Sequence, residues 1–146
     1  MITNKFALGF GYGVLATLVM SAAMIIGAVS GMSPMARPIP LAIVATIAGE
    51  GTPRLLLIML AIAAHLIYGG VWAGLMASLY WPVTVWKGVG LGIVLWVVMQ
   101  IVVLPFLDWG FFGMAVSGAI APVTLLLHLV YGATYGALMN RFQVVI

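Results

Sequence analysis

The chain has 146 residues, of which 66% are hydrophobic and 5% charged, with a formal net charge of +3 and no cysteine. Water-soluble domains carry about a quarter charged residues, so most of this surface must face lipid, and the chain reads as an integral membrane protein. Five scattered basic residues cannot build a nucleic-acid groove, and the lack of cysteine removes disulfides, thiolate metal sites, iron–sulfur ligation and thiol nucleophiles.

The first long apolar stretch runs from Phe6 to Val29, behind Lys5. It resembles a signal peptide in outline, but its length, its packing glycines and its likeness to a later stretch mark a retained helix. "PIPLAIVATIAGEG", Pro38 to Gly51, is too short to span and too apolar for a free loop, which fits a short re-entrant or interfacial helix. The second stretch is Arg54 to Tyr80 and the third Val85 to Leu107. "WGFFGMAVSGAIAP", from Trp109, is read as a shorter counterpart of the Pro38 segment or as an apolar loop. The fourth stretch is Ala119 to Phe142.

Each stretch is long enough to cross a hydrocarbon core about 30 Å thick as a helix. Continuous runs of this kind exclude barrel strands, which are short and alternating. The prolines fall mostly between the stretches or in first turns, where helices tolerate them. With four spans, Lys5, Lys87 and Arg141 share one face, while Arg37, Glu50, Arg54 and Asp108 share the other and cancel. Basic excess marks the cytoplasmic side, so both termini are expected inside the cell.

The chain repeats itself. "GYGVLATLVMS" from Gly11 aligns with "GLGIVLWVVMQ" from Gly90, and "HLIYGGVWAGLM" from His65 aligns with "HLVYGATYGALM" from His128. The expected fold is therefore all-α: one membrane domain, a four-helix bundle made by tandem duplication of a helical hairpin (residues 6–80 and 85–142). An even number of spans per repeat makes the halves parallel, related by an axis along the membrane normal.

Every stretch carries a Gly-x-x-x-Gly: Gly9/Gly13, Gly70/Gly74, Gly88/Gly92 and Gly132/Gly136. Such pairs let helices pack closely in lipid and carry no chemistry by themselves. More specific is the spacing of His128, Gly132 and Gly136, matched by His65, Gly69 and Ala73, since residues four apart share a face. Each histidine thus stands above a strip of small residues with room for a helix or a flat ligand. Tyr68 and Tyr131 flank that face three residues on, followed by Trp72 and Tyr135.

The two histidines are the only ones in the chain. Counted from the external face at about 1.5 Å per residue, they lie roughly 16 and 14 Å deep. Polar groups at that depth belong in the interior. Three readings compete: hydrogen bonds that tie helices together; axial ligation of one b-type haem by His65 and His128; or a proton or ion path. The haem propionates would want Arg, Lys or tyrosine near a membrane surface, with Arg37 and Arg54 as candidates on the external side. Two histidines alone are too few for a zinc or copper site, and Gln100, Asn140, Glu50 and Asp108 do not complete one by spacing. Gln100 in the third stretch and Ser21 at the matching place in the first are further polar groups at depth.

No catalytic set emerges: the only acids, Glu50 and Asp108, fall in external loops. The chain is expected to be a non-catalytic subunit of a larger membrane assembly, plausible in redox work, partnered by lipid and by other membrane subunits or its own copies. A small oligomeric transporter or channel is the alternative.

The "HL[IV]YG" phrase with its trailing "GALM" resembles a group of small, functionally uncharacterised prokaryotic membrane proteins whose last helix carries His-Leu-x-Tyr-Gly. The resemblance is strongest over His128 to Met139. It implies four spans and an inner-membrane location, and it implies no activity.

Overall fold

A computed structural model describes residues 2–49 and 51–143, so Glu50 lies outside the described residues. Those residues are helical and contain no strand. The elements are α1 (Ile2–Val29), α2 (Ile39–Ala48), α3 (Arg54–Leu79), α4 (Val85–Val98), α5 (Leu104–Phe106) and α6 (Ile120–Phe142). A π turn, Met99–Val103, joins α4 to α5, making Val85–Phe106 one continuous span. Among the described residues four helices are long and apolar enough to cross a membrane, which makes this a multi-pass membrane protein.

Helix ends follow local chemistry. Pro53 precedes α3, and Pro38 and Pro40 open α2, where missing N–H groups leave no helical bond unmade. Thr84 caps α4 by accepting from the Lys87 N–H at 3.3 Å. Pro105 has no N–H for the fourth residue back, and the π turn immediately before it absorbs that break. The Trp109 segment forms turns and one 3₁₀ turn, Phe111–Gly113, rather than a counterpart of α2. It has glycines at positive φ (Gly110 at 72°, Gly113 at 73°), which stop a helix from growing.

Small residues set the helix pairs. Gly9 packs against Ala73 and Ala77 of α3, and Gly13 against Gly69 and Ala73. Gly88 packs against Gly132 and Gly136 of α6, and Gly92 against His128 and Gly132. Both pairings are antiparallel, and both remove any room for a side chain. Gly70 and Gly74 instead receive the rings of Phe10 and Phe6. Helix α1 also runs along α6, where Tyr12 stacks on Phe142 at 6.0 Å. The spans therefore run side by side in the order α3, α1, α6, α4. Among the described residues, the backbones of α3 and α4 make no comparable approach to each other. That side is left to α2, which packs on α3 and inserts Ile39 and Ala42 beside Met99, Leu104 and Ile120.

One end gathers the basic groups expected to share a face. The Lys5 ammonium lies 5.0 Å from the Trp81 ring centre, and Lys87 Nζ donates to the carbonyls of Tyr80 and Pro82 at 3.0 and 2.8 Å. Gln143, just beyond α6, clamps the same turn by pairing both amide groups with the backbone of Val83.

Candidate functional site

His128 is buried on α6, and its Nδ1 donates to the Thr124 carbonyl one turn back at 2.8 Å. A carbonyl only accepts, so Nδ1 carries the proton and the neutral ring keeps a lone pair on Nε2. His65 is half-buried on α3, with Nδ1 3.3 Å from Ser21 Oγ on α1. Neither Nε2 has a hydrogen-bond partner among the described residues. The two further polar groups at depth, Ser21 and Gln100, stand differently toward the histidines. Ser21 touches His65 directly. Gln100 Nε2 donates at 2.9 Å to the hydroxyl of Thr124, the residue whose carbonyl takes the His128 bond.

Both imidazoles border one cavity of about 250 Å³ between α1, α2, α3, the π turn and α6. A side chamber of about 20 Å³ adjoins both rings and is also lined by Thr17, Gly69 and Tyr131. Besides the histidines, Thr124 and Tyr68 line the main cavity, and the remaining wall is apolar, with Met20, Met24, Met35 and Met99 prominent. Among the described residues no Lys, Arg, Asp or Glu lines either space. Among the described residues no three metal-ligating side chains cluster.

Residues 3–144 match a family of unknown function, DUF6789. This chain belongs to that family. Neither the curated proteins nor the solved structures contain a match.

In this DUF6789 member the remaining site candidates separate. Tyr131 is buried and donates to the Gly69 carbonyl at 2.7 Å, and Tyr135 does the same to Ala73. Tyr68 is exposed and borders the cavity from α3, in edge contact with Trp72. The expected equivalence of the two tyrosines therefore fails, because α6 lies inside the helix row and α3 at its edge.

The small strips do not leave room beside the histidines for a macrocycle. Gly69 is covered by Thr17 and Tyr131, and Gly132 by Gly88 and Val89. The open volume lies on another side of the rings, toward α2 and the π turn. Arg37 and Arg54 are exposed and line neither chamber. Asp108 is exposed on the turn after α5.

Sequence reasoning passed over Thr124 and the methionines. Thr124 had one available signal, its place four residues before His128, where a threonine carbonyl meets the ring. The methionines come from α1, the α1–α2 connection and the π turn, and no spacing rule joins them.

Proposed function

We propose that this protein is a non-catalytic, integral subunit of a larger membrane assembly, and that it holds an apolar ligand within the bilayer between His65 and His128. One observation carries the reading: both rings border the same cavity, each engages a neighbour through Nδ1, and each leaves Nε2 unpaired. Polar side chains at membrane depth are costly and serve a function by default. Here their free nitrogens adjoin space rather than another helix. Among the described residues the wall beside them is mostly apolar, which suits holding an apolar molecule. Outward apolar residues such as Ile26, Leu79 and Trp86 give lipid or neighbouring subunits, including further copies, their contact surface.

The architecture we propose is a four-helix bundle from a duplicated hairpin. Gly9–Ala73 corresponds to Gly88–Gly136, and Gly13–Gly69 to Gly92–Gly132, under the same two sequence offsets that align the repeats. We place it in the inner membrane with both termini cytoplasmic, following Lys5, Lys87 and Arg141.

A b-type haem is the second reading. Nδ1 anchored to a backbone carbonyl with Nε2 free is how ligating histidines are oriented. The walls fit such a group only in part: they supply imidazoles for iron but no cation for the carboxylates.

The test is to purify the protein in mild detergent, record its visible spectrum oxidised and reduced, and identify extracted small molecules by mass spectrometry. A co-purifying molecule lost from folded His65→Ala and His128→Ala variants supports the ligand site. A sharp Soret band lost in both selects haem. Wild-type protein that carries nothing, and takes up neither haem nor lipophilic probes, rejects the reading.

A further inference from the structure

The two chambers differ in what they accept. The smaller, about 20 Å³, between His65, His128 and Tyr131, admits one water-sized group, because a water needs at least about 10–15 Å³. The larger, about 250 Å³, exceeds the roughly 150 Å³ that takes a benzene ring. Met20, His65 and His128 belong to both walls. A single molecule can therefore lie in the larger chamber with a small polar end against the imidazoles.

The His128 hydrogen bond determines the nature of that end. With the proton on Nδ1, Nε2 is an acceptor without a donor. Carbonyl, ether and ester oxygens cannot satisfy it, whereas a hydroxyl can. His65 is suited to complete the bridge. When the Ser21 hydroxyl donates to its Nδ1, the proton resides on Nε2 and can be given to the same ligand oxygen. The methionine wall indicates what the hydroxyl is attached to. Thioethers adapt to irregular shapes and make favourable contacts with the edges of aromatic rings. Building on the ligand-site reading above, we infer that the occupant is a lipid-soluble phenol. Its hydroxyl donates to His128 Nε2 and accepts from His65.

The experiment titrates the full chain, in phosphatidylcholine nanodiscs under argon, with a decyl-substituted hydroquinone, its dimethyl ether and decanol. The hydroquinone is expected to bind about tenfold more tightly than the ether, the effect of one hydrogen bond to an otherwise unpaired acceptor. It should also bind more tightly than decanol. His128→Leu should bring hydroquinone and ether to parity, and Met24→Trp, which narrows the large chamber, should weaken both. Equal binding of hydroquinone and ether by the wild type overturns the inference while leaving a ligand site. Decanol binding as tightly as hydroquinone overturns the aromatic assignment. Preference for hydroquinone that survives His128→Leu overturns the role of His128. Failure of every probe to bind rejects the site itself. The wild-type comparison needs no variant, so the test stands even if His128→Leu does not fold.

Discussion

Gly92 packs directly against the main-chain carbonyl of His128, with the Gly132 Cα beside it. The histidine is thus held from behind by a residue without a side chain, and its ring is left to reach the cavity. Helix contact and ring placement are the same event in this protein.

Substitutions at the glycines should therefore divide sharply. Gly92→Ala and Gly88→Ala force a methyl group into backbone atoms of α6 and are expected to destabilise the fold by about 1–3 kcal/mol. Gly90→Ala meets nothing within 4 Å and should be neutral or stabilising by up to about 1 kcal/mol. Thermal unfolding in detergent measures all three. A Gly90 variant as unstable as the Gly92 variant would contradict this packing.

The tyrosines of α6 tie it to the far helix of the row. Tyr131 and Tyr135 donate to the carbonyls of Gly69 and Ala73, each at 2.7 Å. Those carbonyls also serve α3, and interhelical bonds in membranes average about 0.6 kcal/mol. Tyr131→Phe and Tyr135→Phe should each lose about that much, up to roughly 1.7 kcal/mol. Steric-trapping measurements of unfolding would read the loss, and unchanged stability in both would mean these bonds do not hold α3.

Thr124 is the hub of a buried cluster. Its hydroxyl donates to Ile120 O at 2.7 Å and accepts from Gln100 Nε2, while Gln100 Oε1 is buried without a partner. Thr124→Val strands the whole Gln100 amide and should cost about 1–3 kcal/mol. Adding Gln100→Leu removes the stranded group, so the double variant should be more stable than Thr124→Val alone. Simple additivity of two losses in a double-mutant cycle would refute the coupling.

Topology has its own test. A fluorescent-protein fusion after the last residue is expected to fluoresce in cells, and an alkaline-phosphatase fusion there to be inactive. A cysteine at Arg37 should label with an impermeant maleimide from outside. Labelling only after the membrane is opened would reverse the orientation drawn from Lys5, Lys87 and Arg141.

Much of the fold was legible because lipid imposes a simple demand. A helix must satisfy its own backbone, and its outer surface must be apolar, so the four spans appear as uninterrupted runs. Their bounds were read to within a few residues: α3 keeps Arg54 as its start, whereas α1 begins at Ile2 rather than Phe6. Gly69 and Gly132 stood out as bare positions, but nothing local told whether a ligand or a neighbouring helix would cover them. Trp96 is the opposite case. It sits among Ile93, Val94, Leu95, Val97 and Val98 in an unbroken apolar run, yet its indole N–H turns inward to the Ala121 carbonyl at 3.1 Å. One face of a uniformly apolar helix looks like another in the sequence.

The sequence by itself determined the medium, the number of spans and the two polar points that repeat, because composition and length answer directly to the bilayer. Only the tertiary structure decided that the two histidine-bearing helices are unequal in their surroundings. α6 became an inner helix and α3 an edge helix, so His128 and Tyr131 are buried while His65 is half-buried and Tyr68 exposed. It also decided where space remains, since a cavity belongs to no residue and arises where α2, the π turn and three spans fail to fill the volume between them.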